Sequence, residues 1–212
     1  MRRGLIPFAV VLALAAGGAA AQERLVDAVR IFAMLDRFYA MPPADRSLLA
    51  VRYNVMRDGK PAPDLHAVLV VGQKRTPIPI AADGRIDRLP TPTELAAHAQ
   101  VAIDAPPSAK FSSRLSLDTA IAPAPEVSAA SCAQAIAQAN AVIRKAAGVM
   151  AMLAPKVKAA TFVGAGSGVA VLADGRTVSL PLVGGAPAYD PEVIKDARSI
   201  RLGRAPSVIS LE

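Results

Sequence analysis

Hydrophobic positions recur along this chain with two periods, and the longest stretch with the helical one is residues 131–154, SCAQAIAQANAVIRKAAGVMAMLA. At about 100° per residue, Cys132, Ile136, Ala139, Ile143, Ala147 and Met150 share one face, while Gln134, Gln138 and Lys145 lie opposite. This pattern predicts a helix lying on a sheet, because Ala alternating with larger aliphatics lets the backbone approach a β surface closely. Pro155 supplies the stop, and Gly148 weakens the helix by about 1 kcal/mol relative to Ala. A second, amphipathic helix is predicted over residues 23–39. There Leu25, Ala28, Val29, Phe32, Leu35 and Phe38 recur at helical spacing, and Met41-Pro42-Pro43 ends the pattern. The two Phe side chains on one stripe read first as core, and second as a partner-binding face.

Between and after these helices the period is that of strands. Leu49, Val51, Tyr53 and Val55 alternate with polar or smaller neighbours up to an Asp58-Gly59 turn, and residues 65–71 are apolar on both faces, as in a central strand. These two runs are expected to pair as a hairpin with a long loop. Pro77 and Pro79 demote residues 76–80 to an edge. Further strands are predicted at 86–89, 100–104, 111–117, 160–163, 168–172, 177–182 and 207–211, with Phe111, Leu115 and Leu117 facing inward. Thr91-Pro92-Thr93-Glu94 has capping-box spacing for a short helix to about His98, and Asp190-Pro191-Glu192 starts another. Residues 183–187 read as a loop. Residues 118–130, rich in Ala, Pro and Ser, read as a connector and the candidate subdomain boundary.

One pattern occurs twice. The nonapeptides ADGRIDRLP (82–90) and ADGRTVSLP (173–181) agree at six positions. Asp-Gly is common hairpin chemistry and Leu-Pro a common exit from a strand, so the repeat needs no duplication to explain it.

The first 21 residues stand apart from these patterns. Arg2 and Arg3, an apolar run over residues 5–16 and Ala19-Ala20-Ala21 follow the order of a secretory signal with cleavage near Ala21/Gln22. The run is about a dozen residues, short of the roughly 20 that span a membrane. The expected organisation is therefore a signal peptide, 1–21, and a single α+β domain, 22–212, working in the periplasm or outside the cell without a stable membrane anchor. With one cysteine, Cys132, that domain cannot rest on an internal disulfide. The formal net charge of +7 falls to +5 once Arg2 and Arg3 leave with the signal. That balance favours anionic surfaces, but the basic residues are scattered and Trp is absent, which argues against nucleic-acid and sugar-stacking platforms.

Candidate chemistry is sparse. Gly164-x-Gly166-x-Gly168 places its third glycine one residue early for a dinucleotide fingerprint, and a strand follows it where a helix is needed. Ser167 has Ala165 and Val169 where a nucleophile elbow requires glycines. The two histidines, His66 and His98, belong to no metal-ligand spacing, and a triad with Ser167 is unsupported by the sequence. Asp83, Asp87, Glu94 and Asp104 read as turn and cap residues. Cys132 reads as a buried small hydrophobe. No catalytic, cofactor-binding or metal-binding residue is assigned, and no cofactor is expected.

In its order of elements, from the strand pair after Tyr39 through the 80–90 turn unit to the long helix and terminal hairpin, the chain resembles uncharacterised secreted bacterial proteins of the domain-of-unknown-function kind. The resemblance implies no site residues. The fold expected is α+β, an antiparallel sandwich-like sheet packed with a long Ala-rich helix and an N-terminal amphipathic helix. The function expected is a non-catalytic envelope accessory or interaction module with an envelope protein as partner. The alternative is a small periplasmic hydrolase whose site assembles from distant residues.

Overall fold

The computed structural model describes residues 23–105, 109–148, 152 and 154–212; the expected signal peptide and Met150 lie outside them. In chain order the elements are β1 (Glu23–Asp27), α1 (Ala28–Ile31), α2 (Leu35–Ala40), a 3-10 turn (Pro43–Arg46), β2 (Leu49–Arg57), β3 (Lys60–Pro61), β4 (His66–Val71) and β5 (Lys74–Ile78). There follow α3 (Pro92–Ala96), β6 (Gln100–Asp104), β7 (Phe111–Thr119), β8 (Glu126–Ser128) and the long helix α4 (Ala129–Ala147). The chain ends with β9 (Ala160–Val163), β10 (Gly168–Leu172), β11 (Thr177–Ser179), β12 (Leu182–Val183), β13 (Ala186–Tyr189), β14 (Ala197–Leu202) and β15 (Val208–Leu211). The class is α+β, with every strand pair among the described residues antiparallel.

The N-terminal helix predicted over 23–39 is corrected to a strand and two short helices. β1 pairs with β6 along its whole length, from Glu23↔Asp104 to Asp27↔Gln100, so the sheet takes the backbone groups a first helical turn would have used. Leu25 is left 52% exposed on that edge. From Ala28 onward the helical stripe buries Ala28, Phe32, Leu35 and Phe38, but Val29, expected on the same stripe, is 50% exposed. The break falls at Met34, whose φ of 73° is left-handed. It frees the Ala33 carbonyl, which accepts a 2.7 Å hydrogen bond from the Tyr53 hydroxyl beneath, while Phe32 meets the Tyr53 ring edge-on at 5.3 Å.

The strands form three sheets among the described residues: β1-β6-β4-β5, β12-β13-β9-β15-β7-β2-β3 and β11-β10-β14-β8. β4 is a central strand, as its two-sided apolar run requires, and the proline-bearing β5 is an edge. The expected pairing of β2 with β4 does not occur. The Asp58-Gly59 turn, with both φ angles positive, folds only Lys60 and Pro61 back onto β2 before the chain leaves. β2 instead pairs along its full length with β7, from Leu49↔Thr119 to Arg57↔Phe111. Its other edge is taken by the first ADGR turn, through Val55 N–H to Gly84 O and Ile86 N–H to Tyr53 O, each 2.8 Å.

Four further expectations change. Residues 86–89 form no strand, making only the isolated Ile80↔Ile86 bridge. Residues 183–187 are not a loop: Gly184 and Gly185, both at positive φ, turn β12 into β13, whose residues are all buried. The helix expected at Asp190 is a single turn closed by Ile194 N–H to Asp190 O, and it leads into β14, which the local pattern did not announce. The connector 118–130 carries the end of β7, all of β8 and the first turn of α4.

α4 begins where the Ser128 hydroxyl accepts the Ser131 N–H and ends at Gly148, φ 54°, seven residues before the expected stop at Pro155. Its buried face carries Ala129, Cys132, Ala135, Ile136, Ala139, Asn140 and Val142 and packs against β8 and β14 on one side and β2, β7 and β9 on the other. On the opposite face Gln138 accepts from Leu48 N–H and donates to Ala44 O, fastening the 3-10 turn. One core surrounds α4, including Phe162, Ile200 and Ile209; a second lies between the first sheet, α1 and β2, including Phe32, Leu69 and Val101. β2 serves both, giving Leu49 to the first and Tyr53 and Val55 to the second.

Candidate functional site

The residues singled out in the sequence do not converge. His66 is exposed at the start of β4, paired in register with Asp104, on the same outward sheet face as Glu23 and Arg75, which form an ion pair. Among the described residues, the shallow hollow there, about 330 Å³, is lined by no hydroxyl or thiol. His98 is exposed beyond α3 with φ 54°. Glu94 closes the capping box with Thr91 and pairs with Arg88, which together hold its carboxyl below the usual range, the Thr91 N–H being the largest cause.

Ser167 is exposed in the turn joining β9 to β10, its carbonyl accepting from Gly203 N–H. Gly164 and Gly166 adopt φ near 80°, and a Cβ on Gly168 would come within 2.9 Å of the Leu202 side chain. These glycines make a turn and a close packing contact, and no helix opens from them. Cys132 is fully buried, and burial pushes its thiol up to about 12, which removes it as a nucleophile at neutral pH. Among the described residues no group of three or more His, Cys, Asp or Glu is placed to hold a metal.

Two cavities were not legible in the sequence. The first lies between the Asp83–Leu89 turn unit and the outer face of the large sheet, about 510 Å³ in volume. Register across that sheet aligns Thr161, Ser210 and Asp118, and Asp118 forms an ion pair with Arg52, Nη2 donating to Oδ1 at 3.1 Å and Nε lying 2.9 Å from Oδ2. Burial raises the Asp118 carboxyl above its ordinary value, with Arg52 and the Ser210 hydroxyl pulling the other way. Arg85 is held by Asp87 at 3.1 Å, and Asp83 accepts the Arg85 N–H. Both guanidinium groups of this cavity thus meet a carboxylate in its own walls, while Arg52 Nε and Thr161 Oγ1 are buried without a hydrogen bond.

The second is an apolar cleft of about 370 Å³. α2 contributes Arg37 and Phe38, α4 contributes Val142, Ile143 and Ala146, and β2 and β7 contribute Val51, Leu115 and Leu117. The expectation that Leu115 faces the core is corrected: it is 38% exposed and forms part of the cleft wall. Met34, exposed at the break between α1 and α2, and Pro155 complete the rim. Arg37 is the one charged residue in the described lining, and its Nη1 donates to the Ala146 carbonyl at 3.2 Å in the last turn of α4. Arg46 stacks over Phe38 at 5.2 Å and Tyr39 at 5.9 Å from outside. Such a volume and lining match small-molecule sites, which are mostly apolar with a few placed polar groups. No helix among the described residues is long and apolar enough to cross a membrane.

Comparison with protein families, curated proteins and solved structures finds no match to this chain.

Proposed function

We propose that the protein is a non-catalytic binding module of the cell envelope, exported to the periplasm and cleaved near Ala21/Gln22, and that it works by taking an apolar ligand group into the cleft between α2, α4 and β7. The observation that carries this reading is the cleft itself, a cavity of ligand size whose described lining is apolar apart from Arg37. The hydrolase alternative lacks an equivalent among the described residues: there His66 has Asp104 beside it but no nucleophile, and Asp118 is engaged by Arg52. The contacts of α4 with strands of two different sheets support reading the helix and those sheets as a sandwich-like layering. An envelope protein that delivers or receives the ligand is the partner proposed.

The test is titration of residues 22–212 with an environment-sensitive apolar fluorophore. Saturable one-to-one binding is expected, lost in Ala146→Phe, which fills the cleft, and retained in His66→Ala, His98→Ala and Ser167→Ala. Binding that survives Ala146→Phe in a folded protein would refute the reading.

A further inference from the structure

We propose that the occupant of the cleft is a single-chain fatty carboxylate, its alkyl chain along Phe38, Leu117 and Val142 and its carboxylate on the guanidinium of Arg37. The inference rests on the binding reading above and names its ligand. Volume decides the first half. About 370 Å³ lies near the lower end of the range for small-ligand sites and has room for one alkyl chain.

Charge decides the second half. Arg37 is the only ionisable group in the described lining, and among the described residues it has no carboxylate partner. Its bond to Ala146 O uses one of five N–H donors, so a fork remains for a planar carboxylate. The carbonyl end of a helix is the unfavourable end for an anion. Here that end is covered by Arg37 itself, which carries the one charge of the described lining. The described walls below it offer a head group no polar side chain, so the chain enters tail first.

The experiment is calorimetric titration of residues 22–212 at low ionic strength with octanoate, decanoate and 1-decanol, each below its self-association limit. Decanoate is expected to bind about 15-fold tighter than octanoate, roughly fourfold for each added methylene buried. It is also expected to bind up to about fivefold tighter than 1-decanol, as an ion pair with the exposed Arg37 provides. In Arg37→Gln, whose amide can still donate to Ala146 O, the preference for decanoate over decanol should disappear while decanol affinity stays as it was; Arg37→Lys should restore part of the preference. Equal affinity for decanoate and decanol in the wild type, or a preference that persists in Arg37→Gln, would overturn this inference and leave the cleft as a site for neutral apolar ligands. If neither ligand binds the wild type, both this inference and the binding reading fail.

Discussion

Asn140 and Val157 are joined by two buried hydrogen bonds: the Asn140 side chain donates to Val157 O at 2.8 Å and its Oδ1 accepts Val157 N–H at 2.9 Å. A side-chain amide thus takes the place of a neighbouring strand and ties α4 to the segment that brings Pro155 to the cleft. Replacement by Ala would strand both backbone groups away from water. Asn140→Ala is expected to destabilise the fold by about 2–4 kcal/mol, measured by urea unfolding, well beyond the usual cost of a surface Asn. A change below about 0.5 kcal/mol would mean that water reaches Val157.

The two ADGR turns offer a controlled comparison. In each, the residue before Ala donates to Arg O and accepts from Gly N–H, and the Asp carboxylate accepts the Arg N–H: Ala81, Asp83, Gly84 and Arg85 in one, Leu172, Asp174, Gly175 and Arg176 in the other. Their surroundings differ. A Cβ on Gly84 would lie 2.6 Å from Val55 O, whereas Gly175 has nothing within 4 Å. Gly175→Ala is expected to cost about 1–2 kcal/mol from the left-handed backbone alone. Gly84→Ala should cost at least about 1 kcal/mol more, because β2 must shift. Equal melting temperatures for the two variants would contradict this account.

Asp118 gives a pH dependence of defined sign. Burial raises its carboxyl in the folded chain, so between the ordinary unfolded value and that higher folded value the native state keeps a proton the unfolded state has lost. The stability of the wild type relative to Asp118→Asn should therefore fall as pH rises through that window and level off above it. Asp64, Glu94, Glu126, Asp174 and Glu192, whose carboxyls are lowered, act in the opposite sense but are common to both proteins and cancel. A difference that grows with pH, followed by denaturant titration from acid to neutral, would show that Arg52 outweighs desolvation.

Cys132 should be silent in the native state. With its thiol pushed up to about 12 and no surface exposed, it is expected to react with a disulfide reagent only at the rate of unfolding, and Cys132→Ala should cost on the order of 1 kcal/mol. Rapid labelling of the folded protein would place the thiol at the surface.

Local chemistry was legible where a few residues decide the outcome. The Thr91–Glu94 capping box, the Asp58-Gly59 and ADGR turns, the edge position of β5 and the buried stripe through Phe32 and Phe38 all follow from spacing. Pairing was not, because β7 reaches β2 across more than fifty intervening residues and nothing in either strand names the other. The same limit hid β1: helical periodicity from Ala28 extends by chance through Leu25, and only the distant β6 converts that turn into an edge strand. The cleft was hidden for a related reason. Phe38, Leu115, Leu117, Val142 and Ile143 each look like core residues, and that they stop short of filling the space between α2, α4 and β7 is a property of three-dimensional packing alone.

The binding account is tested most directly by methyl NMR of the protein labelled at Leu, Val and Ile during titration with decanoate. The expected result is saturable shifts concentrated on Val51, Leu115, Leu117, Val142 and Ile143, with Val68 on the His66 face and Val208 beside Asp118 unmoved. Shifts centred on Val68 or Val208, or none at saturating ligand, would contradict it.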